Sequence, residues 1–108
     1  MSEQGKLSCM VLITALAVLP ATTFAAQGMV MMTGDCPYMV LDSRDGQMLV
    51  KRVTGTAPEV GDILEGQFRP KTFTRVTNQR TGDEVKVWVN MVDKHGTRAM
   101  ARRSRYCS

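Results

Sequence analysis

The chain has 108 residues, enough for one small domain and too few for several. Its formal net charge of +4 permits anionic partners without demanding them. A single histidine excludes most arrangements that need a catalytic imidazole and an imidazole-bound metal together.

Residues 1–25 carry the pattern of a secretory signal peptide. Lys6 supplies a basic n-region, the run 10–19 is the apolar h-region, and Pro20 ends the helix ahead of small residues. Thr23-Phe24-Ala25 is a small-x-small site, with the cut after Ala25. A membrane anchor needs about 20 apolar residues, and this run has about half that before the proline. Cys9 precedes the h-region, which argues against a lipoprotein. The expected location is the bacterial periplasm or the exterior, with no transmembrane segment left after cleavage.

Cleavage removes Glu3 and Lys6 together, so the net charge stays at +4. It also removes Cys9 and leaves two cysteines. In an exported chain these make one disulfide with one possible connectivity, Cys36 to Cys107. A crosslink closing a loop of about 70 residues restricts the unfolded chain by about 4 kcal/mol on the chain-entropy account.

Residues 26–37 read as an N-terminal arm, and 38–108 as a single β-barrel domain with a disulfide-tethered C-terminal tail. The first strand signal, 38–43, ends at Arg44-Asp45-Gly46, a strong hairpin signal, and 47–53 is the return strand. Gly55-Thr56-Ala57-Pro58 breaks it, and Gly61-Asp62 turns the chain into a strand over 63–68. Gly66 within that strand predicts a bulge or sharp bend. A shorter strand, 73–77, closes at the polar loop 78–83. In 84–92, Val85, Val87, Val89 and Met91 alternate with Glu84, Lys86, Trp88 and Asn90, a half-buried strand with its valine face inward. Thr97 is placed to cap a short helix through about Ser104, favoured by Ala99, Met100 and Ala101. The expected fold is therefore mainly β, a small five-stranded OB- or SH3-like barrel with a short C-terminal helix.

The third strand carries Gly61-Asp62-Ile63-Leu64-Glu65-Gly66, a Gly-Asp-x-x-x-Gly stretch. With the signal peptide and brief arm, this resembles the small periplasmic bacterial OB-fold proteins over about 38–92. The Cys36–Cys107 pair departs from that group. The resemblance implies a fold and a ligand-binding role, and it supplies no catalytic residue.

The residues point away from an enzyme. His95 lies in the turn Asp93-Lys94-His95-Gly96, and Asp42, Ser43 and Asp45 share a hairpin tip, whereas acid–base work needs groups with separated pKa values in a pocket. A disulfide would leave no free thiol. No cofactor is expected.

Thioethers suit Cu(I), so Met29, Met31, Met32, Met39 and Met48 make a periplasmic Cu(I)-binding protein the alternative reading, with Trp88, Met91 and His95 inviting comparison. On a regular strand Trp88 and Met91 point to opposite faces, which argues against it.

The preferred reading is a non-catalytic exported binding or accessory protein of the bacterial envelope, with an anionic envelope component, an oligonucleotide or a protein as partner. Trp88, between Lys86 and Asn90 on the polar side of its strand, supplies an aromatic contact. Arg98, Arg102 and Arg105 form a basic stripe at i, i+4 and i+7 of the helix, with Arg103 beside it. Met100 and Cys107 fall on another face, available to dock on the barrel.

Overall fold

The apolar alternation along the chain is used almost in full: residues 26–108, those that the computed structural model describes, form six strands and one helix. The expected signal peptide, 1–25, lies outside the described residues. The strands are β1 (Ala26–Met32), β2 (Tyr38–Ser43), β3 (Gly46–Thr54), β4 (Ile63–Gly66), β5 (Thr72–Asn78) and β6 (Glu84–Asp93). The helix, α1, is Arg98–Tyr106. All neighbours are antiparallel in the order β1-β2-β3-β6-β5-β4, and β1 pairs back onto β4 to close a barrel. The fold is thus a mainly β barrel with a short C-terminal helix, but with six strands where five were expected.

The additional strand is β1, in the segment read as an arm. Glycine and methionine are weak strand signals. Pairing on both sides supplies what propensity lacks: Met29 lies opposite Asp42 of β2 and Ile63 of β4. Gly28 and Val30 face inward, while Met29 and Met31 face solvent. Without β1, both β2 and β4 would have open edges.

Inside the barrel, Val30, Leu41, Val50, Leu64, Val76, Val85, Val87 and Val89 pack with Met39 and Met48. The β2–β3 hairpin turns where the sequence predicts. Ser43 pairs with Gly46, and the Ser43 hydroxyl donates to the Gly46 carbonyl at 2.8 Å and accepts from the Asp45 N–H at 3.1 Å. Gly46 has φ of 114°, and a Cβ there would collide with the backbone of Asp93 and Lys94. At Gly66 the strand passes tightly over β5: a Cβ would lie 2.7 Å from Val76 Cγ1 and 3.0 Å from the Arg75 carbonyl oxygen.

Strand β6 does not keep its period. Val50 faces Val89 but Leu49 faces Met91, so Asn90 is an extra, bulged residue. A one-residue slip exchanges the faces of a strand. Met91 therefore points outward rather than inward with the valines, on the same side as Trp88.

That outward shift builds a second apolar layer. Val40, Leu49 and Ala99 are fully buried between sheet and helix, with Met32, Tyr38, Met91 and Met100 packed around them. Helix α1 thus lies on the outer surface of β2, β3 and β6, with Met100 docked as expected. The Cys36–Cys107 disulfide, with Cα atoms 5.6 Å apart, fixes its end to the β1–β2 connection.

The helix start differs from expectation. Thr97 has φ of −114° and ψ of 10°, and its side chain makes no capping bond. Asp93 caps instead: one carboxylate oxygen accepts the Arg98 N–H at 2.9 Å and the other the His95 N–H at 3.2 Å. These N–H groups hold the Asp93 carboxyl below its ordinary pKa despite burial. Among the described residues no helix is long and apolar enough to cross a membrane.

Candidate binding face

Strand register places four side chains in one row across the outside of the barrel. Tyr38 of β2 lies opposite Lys51 of β3, Lys51 opposite Trp88 of β6, and Trp88 opposite Phe73 of β5. Neighbouring strands stand about 4.8 Å apart, so Tyr38 and Trp88 lie about 10 Å apart, with Lys51 between them. A groove of about 560 Å³ runs along this row, lined by Tyr38, Lys51, Arg52, Val53, Phe73 and Trp88.

The rings form two pairs. Phe73 and Trp88 have centroids 4.7 Å apart at 55°, and Tyr38 meets Tyr106 of α1 at 4.8 Å and 46°. Each pair carries a cation. Lys86 Nζ sits 5.4 Å from the Phe73 centroid, and Lys51 Nζ 5.7 Å from that of Tyr38. Phe73 is 58% exposed, unusual for a phenylalanine in a chain with so few aromatic rings. Glu84, two residues before Lys86, is taken up by Arg75 at 3.5 Å. Among the described residues neither Lys51 nor Lys86 has an ion-pair partner.

Lys86 and Trp88, singled out from the sequence, thus stand together on this face. The arginine stripe is divided. Arg102, half-buried, donates from Nη1 to Asn90 Oδ1 at 3.3 Å, which brings it to the strand position two beyond Trp88. Arg98 turns to Asp93, at 3.6 Å, at the other end of the helix. Arg105 is exposed and has no ion-pair partner among the described residues. Arg103 donates to the Tyr38 carbonyl at 2.7 Å and serves to dock the helix.

Sequence reasoning missed Tyr38, Lys51, Phe73 and Tyr106. Lys51 is visible in the sequence as the charge that ends the apolar run Met48-Leu49-Val50, and Phe73 lies out of phase with the buried Val76 on β5. Their meeting is not visible, because it depends on register between strands far apart in the chain.

The other polar centres serve the fold. Asp62, buried, receives Arg80 Nε at 2.6 Å and Nη2 at 3.1 Å, Asn78 Nδ2 at 2.8 Å and the Glu59 N–H at 2.9 Å. These donors hold its carboxyl far below the ordinary value, with Arg80 the largest cause. Every donor belongs to the protein, so the cluster ties the 59–62 turn to the β5–β6 loop. A second hollow of about 600 Å³, at the barrel end near Ala26, is lined by Gln27, Asp42, Ser43, Asp45 and others. Among the described residues, no three His, Cys, Asp or Glu side chains are grouped to hold a metal ion.

The methionines of the copper alternative are spread over three environments. Met39 and Met48 are inside the barrel, Met32 and Met91 lie beneath α1, and Met29 and Met31 are on the outside of β1. His95 is exposed in the β6–α1 turn. No protein-family model, curated protein or solved structure matches this chain.

Proposed function

We propose that the protein is a non-catalytic binding protein, exported to the bacterial envelope, that holds an anionic ligand on the outer face of β3, β5 and β6. One observation carries this reading: the cross-strand row Tyr38–Lys51–Trp88–Phe73, in which an exposed Phe73 and the half-buried Tyr38 and Trp88 are bordered by lysines that have no carboxylate partner among the described residues. A solvated surface made only for solubility has no need of an exposed Phe73 set against a half-buried Trp88. Such apolar area is retained where something covers it. Lys51, Lys86 and Arg102 contribute charge, and the rings contribute desolvated contact area. The signal-like pattern of 1–25 and the Cys36–Cys107 bond support an oxidising compartment.

The test is retention on immobilised heparin at about 50 and 200 mM salt, the range over which polyanion contacts weaken steeply. The wild-type protein should be held at the lower salt and released at the higher, and a Lys51→Ala/Lys86→Ala variant should elute early at both. Absence of wild-type retention at the lower salt would remove the proposal.

A further inference from the structure

We infer that the ligand of this face is single-stranded nucleic acid, bound through unstacked bases. The inference rests on the anion-binding reading above and names the class of anion. The face offers two separate aromatic platforms, Trp88 with Phe73 and Tyr38 with Tyr106. Between them stands Lys51, the residue opposite Trp88 and beside Tyr38 in the row. Aromatic, cation, aromatic is the order in which a strand presents base, phosphate, base.

Distance decides what form the strand takes. Bases stacked on one another rise about 3.4 Å per step. The two platforms are about two strand spacings apart, roughly 10 Å. Consecutive stacked bases cannot reach both, so the bases must be splayed, each on its own platform. A duplex keeps its ring faces inside the stack and can offer only phosphates here. Single strands bind in this manner, by a basic groove with rings on which bases stack in a sequence-tolerant way. An acidic glycan could satisfy Lys51 and Lys86, but its saturated rings meet an aromatic face through C–H groups alone and lack the π face that a base stacks on Phe73, which is 58% exposed. The barrel's outward surface is broad enough for this because the Asn90 bulge sends Met91 beneath α1 and keeps the helix over Leu49, leaving Trp88 in the groove.

Trp88 is the only tryptophan in the chain, so its fluorescence reports this site alone. Folded protein, residues 26–108, is titrated with oligothymidylate of about ten residues, the same length of duplex DNA, and heparin. Variants are Phe73→Ala and Lys51→Met, both at exposed positions, with folding checked by circular dichroism. Oligothymidylate should quench Trp88 and bind more tightly than duplex, whereas heparin should bind without quenching. Phe73→Ala should weaken oligothymidylate binding about 5- to 150-fold, the range of one lost base–ring stack. Lys51→Met should reduce the salt slope by about 0.7, one single-strand phosphate contact.

Heparin binding with no Trp88 response to oligothymidylate would overturn the nucleic-acid inference and leave anion binding standing. Duplex binding as tight as single-strand binding would do the same. Failure of all three ligands to bind would remove both.

Discussion

Asp62 and Arg80 form a two-point ion pair, Nε to Oδ1 at 2.6 Å and Nη2 to Oδ2 at 3.1 Å, with the carboxylate buried and the guanidinium half in solvent. Solvent screening weakens the charge attraction on the arginine side. The remaining donors, Asn78 Nδ2 and the Glu59 N–H, are the ones that cannot be left without an acceptor. This explains why aspartate stands at the second position of the Gly61-Asp62 turn.

The pH dependence follows from the lowered pKa. A carboxylate depressed in the folded state contributes stability that is full above its unfolded value, near 3.8, and is lost as pH falls toward the folded value. Urea midpoints should therefore drop below about pH 4, and Asp62→Asn should flatten that drop. At pH 7 the variant should lose about 1–3 kcal/mol, the range for orphaned buried donors. Equal acid sensitivity in variant and wild type would show that Asp62 is not the group responsible.

Asp93 has the same sign and a different target. Asp93→Ala removes the acceptor for the Arg98 and His95 N–H groups, so α1 should fray and the helical circular dichroism signal should fall. Thr97→Ala should leave that signal unchanged, since its side chain caps nothing. The reverse ranking would return the cap to Thr97.

The disulfide pins the end of α1 over Val40 and Leu49. Denatured protein comprising residues 26–108 should show no free thiol in an Ellman titration. Cys107→Ser should lower stability by about 2–5 kcal/mol. Two reactive thiols in material from an oxidising compartment would refute the bond there.

Gly66→Ala drives a methyl group into Val76 Cγ1 and the Arg75 carbonyl. Overpacking of this kind costs about 1–3 kcal/mol. A Val76→Ala change should recover part of that loss, because it withdraws the side-chain contact and not the carbonyl. A double-mutant cycle measures the coupling, and strict additivity would mean that the two sites do not press on each other.

The divided arginine stripe predicts unequal effects on heparin retention. Arg102→Ala should lower the salt needed for elution, since Arg102 stands beside Asn90 in line with Trp88. Arg98→Ala should change it less, because its guanidinium faces the Asp93 carboxylate. Equal losses would restore the stripe as a single unit.

What was legible in the sequence was local. The Arg44-Asp45-Gly46 turn, the valine alternation of 85–89, the amphipathic tail and the only pair of cysteines outside the signal-like segment all express short-range chemistry, and the barrel, helix and disulfide match them. Lys86 and Trp88 were recognisable as outward residues for the same reason.

Three features were decided by tertiary structure alone. Residues 26–32 have weak strand propensity, and they become β1 because two open edges, β2 and β4, take up their N–H and C=O groups. Asn90 becomes a bulge because the pairing of β3 with β6 accommodates one extra residue, and that shift moves Met91 from the core to the seat of α1. The row Tyr38–Lys51–Trp88–Phe73 joins four strands spread over fifty residues of chain, so it exists only once register is set. Residue chemistry determines which side of a strand faces water; only closure of the barrel determines which of those outward residues become neighbours, because backbone hydrogen bonding between distant strands fixes that alignment.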